Sequence, residues 1–208
     1  MGEAVQRAGD AELPQGKLGR TRLRLVAAIR DEVSATGNFS AESVAERAGI
    51  SVATFYNHFA SKDEALVAAY SALMRELVAL LAEQCRIERL LDLGLRDFLA
   101  EWLVRAVDFF RSNSALFRLA QAATTTSAGM REVFRTHESE ALDNYQRFIQ
   151  LGQAANVVRA GDREALASVL LVMSESWNHP SMRHAGIASA LHDEWVESLH
   201  RMLAPEAI

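Results

Sequence analysis

Apolar residues recur at helical spacing along most of this chain of 208 residues, and only three prolines interrupt it. Leu25, Ile29 and Val33, for example, follow one another at intervals of four, which places them on one face of a helix. The longest apolar stretches are interrupted by charged residues, as is typical of amphipathic helices. The pattern predicts an all-α protein of about nine helices, and no segment stands out as a strand.

Capping and turn-forming residues separate these helices. Gly37 and Gly49 each follow an apolar-periodic stretch, where glycine commonly ends a helix. Ser40 and Ser51 are placed to cap the helices that come next, and residues 61–64 have the S-x-x-E form of a capping box. The predicted helices cover residues 20–36, 41–48, 52–59, 62–84, 88–111, 116–123, 130–156, 163–177 and 188–203, with loops at 124–129 and 180–186.

Composition limits the class of protein. Half of the residues are apolar, which is enough for a sizeable core. The single cysteine, Cys85, rules out an internal disulfide and suits a reducing cytoplasm. No 18 consecutive residues are all apolar, and residues 1–19 lack the apolar core of a signal peptide. We therefore expect a cytoplasmic protein with no membrane partner and a flexible polar tail at residues 1–19.

The charges are unevenly distributed. The formal net charge is −5, yet residues 17–62 hold seven basic and four acidic side chains. After residue 63 the chain holds 14 basic and 19 acidic side chains. A basic N-terminal part on an acidic body fits a protein that touches phosphate with one end only.

The segment between residues 39 and 66 contains two short helices joined by a glycine-containing turn, which is the helix-turn-helix pattern. A helix that enters a major groove of DNA has to be short and to carry its readout residues near its N-terminal end. Val52, Ala53 and Asn57 are expected to face outward there. The small side chains at 52 and 53 permit close approach to base edges, so this segment predicts a DNA-binding helix.

An ordinary helical hairpin that packs only internally is the alternative for this segment. It accounts for the apolar residues expected to face inward, which are Val44, Ile50, Phe55 and Phe59. It does not account for the run Tyr56-Asn57-His58 followed by Lys62. The side chains of Tyr56, His58 and Lys62 are expected at the flanks of the groove, where the phosphates run. The polar run favours DNA binding.

Three short motifs follow one another in this segment: Ala48-Gly49-Ile50-Ser51, Thr54-Phe55-Tyr56-Asn57-His58-Phe59 and Ser61-Lys62-Asp63-Glu64-Ala65-Leu66. Their residues and spacing resemble the signature of the tetracycline-repressor (TetR) family of bacterial transcription regulators. The resemblance covers roughly residues 20–66, and beyond it only helix number and length agree. It implies an all-helical homodimer that binds palindromic operator DNA and releases it when a small molecule fills its C-terminal domain.

The resemblance also implies roles for individual residues. Phosphate contacts are expected from Ser40, Thr54, Tyr56, His58 and Lys62, and base contacts from Val52, Ala53 and Asn57. Glu42 stands where some relatives place a base-reading basic residue; it could accept from a cytosine amino group, but a first-turn carboxylate favoured by the helix dipole is the preferred interpretation. Arg20, Arg22 and Arg24 fit a solvated helix start as well as they fit an arm that touches DNA.

The C-terminal helices are rich in large apolar side chains. Nine of these are candidates for the lining of a ligand cavity, although more of them are expected in the core than in a cavity: Trp102, Phe109, Phe110, Phe117, Phe134, Tyr145, Phe148, Met173 and Trp177. The last two helices each carry an apolar stripe, from which we predict a four-helix dimer interface: Leu166, Val169, Leu170, Met173, Trp177, Leu191, Trp195, Leu199 and Met202. The alternative is that both stripes only close the core of one protomer.

No pattern in the sequence predicts catalysis, a metal or a cofactor. His179 and His184 have a spacing that matches no usual zinc site, and no triad, phosphate loop or dinucleotide fingerprint stands out. We expect a helix-turn-helix domain at residues 20–66 and a ligand-binding and dimerisation domain at residues 67–208. The expected function is a ligand-responsive DNA-binding regulator, most simply a repressor that releases double-stranded operator DNA. The alternative is an all-α enzyme or small-molecule carrier that uses the C-terminal cavity.

Overall fold

The computed structural model describes residues 17–179 and 189–205. These residues form ten α-helices and one short 3₁₀-helix and contain no strand, which confirms the all-α prediction. The helices are α1 (Lys17–Thr36), α2 (Ala41–Ala48), α3 (Val52–His58), α4 (Lys62–Gln84), α5 (Ile87–Leu93), α6 (Leu95–Ser112), α7 (Ser114–Ala123), α8 (Ala128–Ala154), α9 (Arg163–Glu175) and α10 (Ser189–Leu203), and the 3₁₀-helix is Ser176–Asn178.

The chain divides into two compact units, residues 1–69 and residues 70–208. Unit 1 contains α1, α2, α3 and the first two turns of α4. Its core is made of large apolar side chains that are almost completely buried: Leu25, Ile29, Val33, Phe39, Val44, Phe55 and Phe59. Burying a side chain of this size contributes about 1.5–3 kcal/mol, so this small unit depends on each of them.

Local capping fixes the ends of the short helices in unit 1. The Ser40 side chain accepts a hydrogen bond from the Ser43 amide at 3.1 Å, and Ser51 does the same for Thr54. Gly49 adopts a left-handed conformation with φ 64°, which L residues adopt only at a cost. Its own amide and that of Ile50 return to carbonyls at the end of α2. The chain therefore stops after α2 and turns directly into α3.

Gly94 divides a helix that the sequence predicted as continuous over residues 88–111. Its φ of 74° and ψ of 157° lie outside the helical region, so α5 ends at Leu93 and α6 begins at Leu95. The Gly94 amide closes α5 by donating to Leu90, and its carbonyl accepts from Phe98 in α6. The prediction of one helix was wrong because the apolar period continues across the break.

Unit 2 has an aromatic core. The ring of Trp102 meets those of Trp177 and Tyr145 edge-on, with centroid distances of 5.2 and 5.7 Å. Phe98 stacks on Phe148 at 5.2 Å. In this unit α8 packs against α5 and α9, while α10 packs against α6. The rings come from α6, α8 and the 3₁₀-helix, so they tie together segments that are distant in sequence.

Several helix ends differ from the prediction by a few residues. α1 begins at Lys17, so residues 17–19, which were predicted as tail, are helical. α8 begins at Ala128 because the side chain of Ser127 caps it by accepting from the Met130 amide. The remainder of the predicted tail, the predicted loop at 180–186 and His184 within it lie outside the described residues.

By length and composition alone, α4 is apolar enough to cross a membrane. A core helix passes the same test, and 39% of this apolar stretch of α4 is buried. Ala65 and Leu66 are buried in unit 1, and Leu73 and Leu81 are buried in unit 2. The apolar residues of α4 are therefore accounted for by packing within the protein, and the helix is only weak evidence for a membrane segment.

Candidate nucleic-acid interface and interior cavity

Helix α3 has one face in the core of unit 1 and one face in solvent. Phe55 is fully buried and Phe59, which follows the helix, is 1% exposed; their rings are in contact at 5.4 Å. On the other side Ala53 and Asn57 are exposed and Val52 is half-buried. These are the three side chains that the sequence assigned to base contacts. Val52 and Ala53 begin α3, and Asn57 lies near its end, four residues after Ala53 and on the same face.

Two arginines of α1 donate hydrogen bonds to main-chain carbonyls at the C-terminal ends of α2 and α3. Arg22 donates to the main-chain oxygen of His58 at 2.6 Å, and Arg24 donates to that of Ala48 at 2.5 Å. Cations are favourable at helix C-termini because the last carbonyls lack partners within the helix. The sequence left these arginines open between solvent and DNA. In the structure, Arg22 instead binds the C-terminal end of α3, and Arg24 binds that of α2.

The residues assigned to phosphate contacts lie around this helix. Tyr56 is 53% exposed, and its ring meets Phe55 edge-on. The Thr54 hydroxyl is 2.9 Å from that of Ser51, and His58 is half-buried. The exposed Ser40 is engaged with Ser43 as the cap of α2. Their polar atoms border α3 without filling the space beside it.

Lys62, the fifth of these residues, is exposed at the start of α4. Its ammonium group donates to the side-chain oxygen of Asn38 at 2.9 Å and lies 5.0 Å from the centre of the Phe39 ring. Both contacts are at the surface, where such interactions are weak. The amine is therefore held by weak contacts beside the start of α2, and exchanging them for a phosphate costs little.

Glu42 lies in the first turn of α2. Hydrogen bonds from the helix backbone and from Ser40 lower the pKa of its carboxyl group. The carboxylate is thus stabilised by the helix start, in agreement with the preferred interpretation that the helix dipole favours an acidic residue there.

A cavity of about 380 Å³ lies within unit 2. This volume is in the range of small-molecule sites. Helices α4, α6, α7, α8 and α9 and the 3₁₀-helix all contribute to its wall. The lining residues are Tyr70, Met74, Leu77, Val78, Leu80, Leu81, Trp102, Ala106, Phe110, Phe117, Gln121, Phe134, His137, Glu138, Ala141, Tyr145, Leu171, Ser174, Glu175 and Trp177.

The sequence named some of these residues and missed others. Six of the nine proposed lining residues contribute to the wall: Trp102, Phe110, Phe117, Phe134, Tyr145 and Trp177. Phe109, Phe148 and Met173 do not line it, and Phe148 is 1% exposed in the core. The residues of α4 and the polar residues of α8 and α9 were missed. Their only signal in the sequence is the long stripe of apolar residues on α4, and a helix that lines a cavity has the same apolar pattern as a helix in the core.

Three polar atoms of the cavity wall are buried without a hydrogen-bond partner among the described residues. They are the indole nitrogens of Trp102 and Trp177 and the hydroxyl of Tyr145. Ser174 lies near this hydroxyl, but its own proton goes to the carbonyl of Leu171 at 2.7 Å. A buried polar atom without a partner costs about 1–3 kcal/mol, so a ligand or a water that reached any of the three would relieve this cost.

The titratable groups of the cavity are shifted by burial. Burial raises the pKa of Tyr70 and of Tyr145, and the charge of Glu175 acts in the same direction on both. Burial and, second, the charge of Glu138 raise the pKa of Glu175. Burial lowers the pKa of His137, although its ring is 2.9 Å from the Glu140 carboxylate. Both phenols and the imidazole are therefore neutral at neutral pH.

The residues proposed for a dimer interface fall into two groups. Leu166, Leu170, Trp177 and Leu199 are buried within unit 2, so their side chains pack in the core of the protomer, and the interface itself stays a prediction. Val169 and Leu191 are exposed, and Met173, Trp195 and Met202 are half-buried. Val172, which the sequence analysis did not name, is the most exposed apolar residue of α9 at 65%.

Known proteins resemble this chain in the sequence of one segment and in the overall fold. Residues 35–69 match the family model of bacterial regulatory proteins, tetR family. The search among curated proteins gave no match. Among solved structures, a protein from Mesorhizobium loti described as a TetR-family transcriptional regulator has a TM-score of 0.76 at 15% identity, over 91% of this chain and 100% of that one.

Two further structures have the same fold. A TetR transcription regulator from Haloarcula marismortui has a TM-score of 0.68 at 15% identity, over 88% of this chain and 96% of that chain. The SmeT–triclosan complex has a TM-score of 0.66 at 17% identity, over 90% and 93%. The matched segment 35–69 is the one that contains α2 and α3. This segment is similar to the tetR family of bacterial regulatory proteins, and the helices of the chain have the fold of solved TetR-family regulators.

Proposed function

We propose that this protein is a transcriptional repressor that binds operator DNA through α3 and releases it when a small molecule occupies the cavity of unit 2. The observation that carries the proposal is the two-sided character of α3. Phe55 and Phe59 anchor the helix from inside, while Ala53 and Asn57 are exposed at its other face. A short, firmly held helix with small and polar outer residues fits a major groove.

Each residue around α3 has a proposed role at the DNA. Val52, Ala53 and Asn57 meet base edges, where asparagine can pair with adenine through two hydrogen bonds. Ser40, Thr54, Tyr56, His58 and Lys62 meet phosphates and fix the position of the helix on the duplex. Arg22 and Arg24 do not enter these contacts, because their guanidinium groups already bind main-chain oxygens.

The DNA-binding species is proposed to be a homodimer on a palindromic site, because one recognition helix is too little for tight specific binding. Val169 and Val172, spaced by three on α9, are 47% and 65% exposed, and Leu191 of α10 is 39% exposed. Exposed apolar side chains of this kind on α9 and α10 are suited to pack against a second copy. The proposed interface is therefore the exposed side of α9 and α10 and not their buried stripes.

Helix α4 is the proposed link between the cavity and DNA binding. Its residues Ala65 and Leu66 are buried in unit 1, whereas Tyr70, Met74 and Leu77 line the cavity in unit 2. A ligand that displaces α4 at the cavity therefore also moves its first turns. The bound triclosan named for the SmeT structure supports an effector site in this fold. Coupling of this kind typically amounts to about 1–3 kcal/mol, or roughly 5–150-fold in operator affinity.

The test is a titration of fluorescently labelled DNA from the region flanking the protein's own gene, followed by anisotropy at fixed salt. A regulator binds one such fragment at least about 10³-fold more tightly than unrelated DNA of the same length. The variant Asn57→Ala is expected to lose this preference. Equal affinity for all fragments would contradict the proposal and favour a carrier or enzyme that uses the cavity alone.

A further inference from the structure

The cavity wall is apolar and aromatic except for a small polar group of residues on α7, α8 and α9. Two of these, Glu138 and Glu175, are the only acidic side chains among the described residues that line the cavity. None of the described lining residues is an arginine or a lysine, although the chain contains 22 of them. The wall therefore carries a formal charge of about −2 and nothing among its lining residues that would neutralise an anion.

The two carboxylates interact with each other and with the phenol rings. The charge of Glu138 contributes to raising the pKa of Glu175, and the charge of Glu175 contributes to raising the pKa of Tyr70 and Tyr145. Glu175 therefore lies within electrostatic range of all three side chains. Neither carboxylate forms an ion pair with the described residues, and the lowered pKa of His137 leaves that ring uncharged.

Aromatic rings line the same cavity as these carboxylates. Tyr70 contacts the ring of Phe134 at a centroid distance of 5.0 Å and that of Phe117 at 5.8 Å. Trp102 and Trp177 contact each other on the same wall. The faces of such rings are negative and attract cations, and the attraction is strongest where water is displaced.

A second, independent observation indicates a polar ligand. The Tyr145 hydroxyl and the indole nitrogens of Trp102 and Trp177 are unpartnered, and all three side chains are at most 1% exposed. The indole nitrogens can only donate. They therefore call for an acceptor atom on the ligand, in addition to the positive charge that the carboxylates of Glu138 and Glu175 favour.

We propose that the cavity binds organic cations with an aromatic body, whose positive nitrogen lies between Glu138 and Glu175. An ether or carbonyl oxygen elsewhere on such a ligand accepts hydrogen bonds from the two indole nitrogens and the phenol hydroxyl. This inference rests on the proposed function, since it names the chemical class of the effector. Glu138 and Glu175 are exposed, so water screens their carboxylates and the gain over a neutral ligand is moderate.

The test uses three compounds of the same shape with the full chain in equilibrium dialysis. They are (naphthalen-2-ylmethyl)trimethylammonium, its neutral carbon isostere 2-neopentylnaphthalene and the anion naphthalen-2-ylmethanesulfonate. The cation is expected to bind at least about tenfold more tightly than the neutral isostere and about 100-fold more tightly than the anion. Binding of the neutral compound as tightly as the cation, or no binding of the cation, would overturn the inference.

Variants locate the charge that is responsible. Glu138→Gln and Glu175→Gln remove one carboxylate each without a large change of shape, and each is expected to weaken the cation about fivefold to tenfold while the neutral isostere changes less than twofold. The matched control is Glu164→Gln, which removes an exposed carboxylate of α9 that does not line the cavity. Its affinity for the cation is expected to equal that of the unchanged protein, and an equal loss in the control would show a merely long-range effect.

The same compounds separate this inference from the proposed function. If the neutral isostere binds equally well and releases operator DNA, the repressor proposal holds and the preference for cations is wrong. If the cation binds through Glu138 and Glu175 but leaves operator affinity unchanged, the cavity has the proposed chemistry and the effector role is wrong.

Discussion

The guanidinium group of Arg22 in α1 donates a hydrogen bond of 2.6 Å to the main-chain oxygen of His58, the last residue of α3. The same group lies 4.5 Å from the centre of the Phe59 ring and 3.8 Å from the carboxylate of Glu64. One side chain of the first helix thus joins the end of the recognition helix to the start of α4. The orientation of α3 depends on a residue 36 positions earlier in the chain.

Replacing this arginine is expected to loosen α3. Arg22→Ala removes a charge-assisted hydrogen bond and a cation–π contact, so unit 1 should lose about 1–3 kcal/mol of stability. Chemical denaturation followed by circular dichroism measures the loss. Arg20→Ala is the control, because Arg20 is exposed on the same helix, and it should change stability by less than about 0.5 kcal/mol. Equal effects of the two variants would show that the contact with His58 contributes nothing specific.

Substitutions of Lys62 and of Asn57 are expected to change DNA binding in different ways. Lys62→Ala should weaken binding to every DNA sequence and reduce the salt slope by about 0.9 per subunit, because a phosphate contact releases a counterion. Lys62→Arg, which keeps the charge, should restore the slope. Asn57→Ala should change the preferred operator and leave the slope unchanged. A changed sequence preference for Lys62→Ala with an unchanged slope would reverse the two assignments.

The dimer interface is tested at Val172. Because this side chain is 65% exposed in the protomer, Val172→Glu should leave the fold intact and place a charge in the interface. Analytical ultracentrifugation should then show monomers at micromolar concentration. Val104→Glu, at a valine of α6 that is 48% exposed, is the matched control and should remain dimeric. Leu170 is unsuitable for this test because it is fully buried, and a glutamate there would unfold the protomer.

The buried thiol of Cys85 is expected to make the free energy of unfolding depend on pH. Burial raises the pKa of its thiol to about 12, whereas an unfolded cysteine has a pKa of about 8.5. The stability that the thiol contributes is therefore complete below about pH 8.5 and is lost as the pH rises from there towards 12, at up to about 1.4 kcal/mol per pH unit. Denaturant midpoints from pH 8 to 10 should fall more steeply for the unchanged protein than for Cys85→Ala, and parallel curves would contradict this account.

The helix-turn-helix could be predicted from sequence because its signals are local. Ser40, Gly49 and Ser51 act on neighbours within three or four residues, and each adopts its expected role in the structure. The contacts of Arg22 and Arg24 could not be predicted, because they join side chains to carbonyls 36 and 24 positions away. A main-chain oxygen that accepts such a bond leaves no pattern in the sequence.

Burial patterns in unit 2 show the same limit. Leu170 and Val172 both belong to the apolar stretch of α9, yet one is fully buried and the other is mostly exposed. Phe148 and Trp102 are both buried aromatic residues, but only Trp102 lines the cavity. Helical spacing predicts that a face is apolar, and the packing of several helices decides whether that face meets the core, a cavity or solvent.

The central claim is that occupancy of the cavity and binding of operator DNA oppose each other, and calorimetry tests it most directly. The ligand is any compound found by thermal-shift screening whose binding is lost in Ala141→Trp, a change that fills the cavity at a lining residue. Linkage requires that this ligand weaken operator binding by the same factor by which the operator weakens ligand binding. We expect equal factors of roughly 5–150 in both titrations, and a ligand affinity that is the same with and without operator would contradict the account.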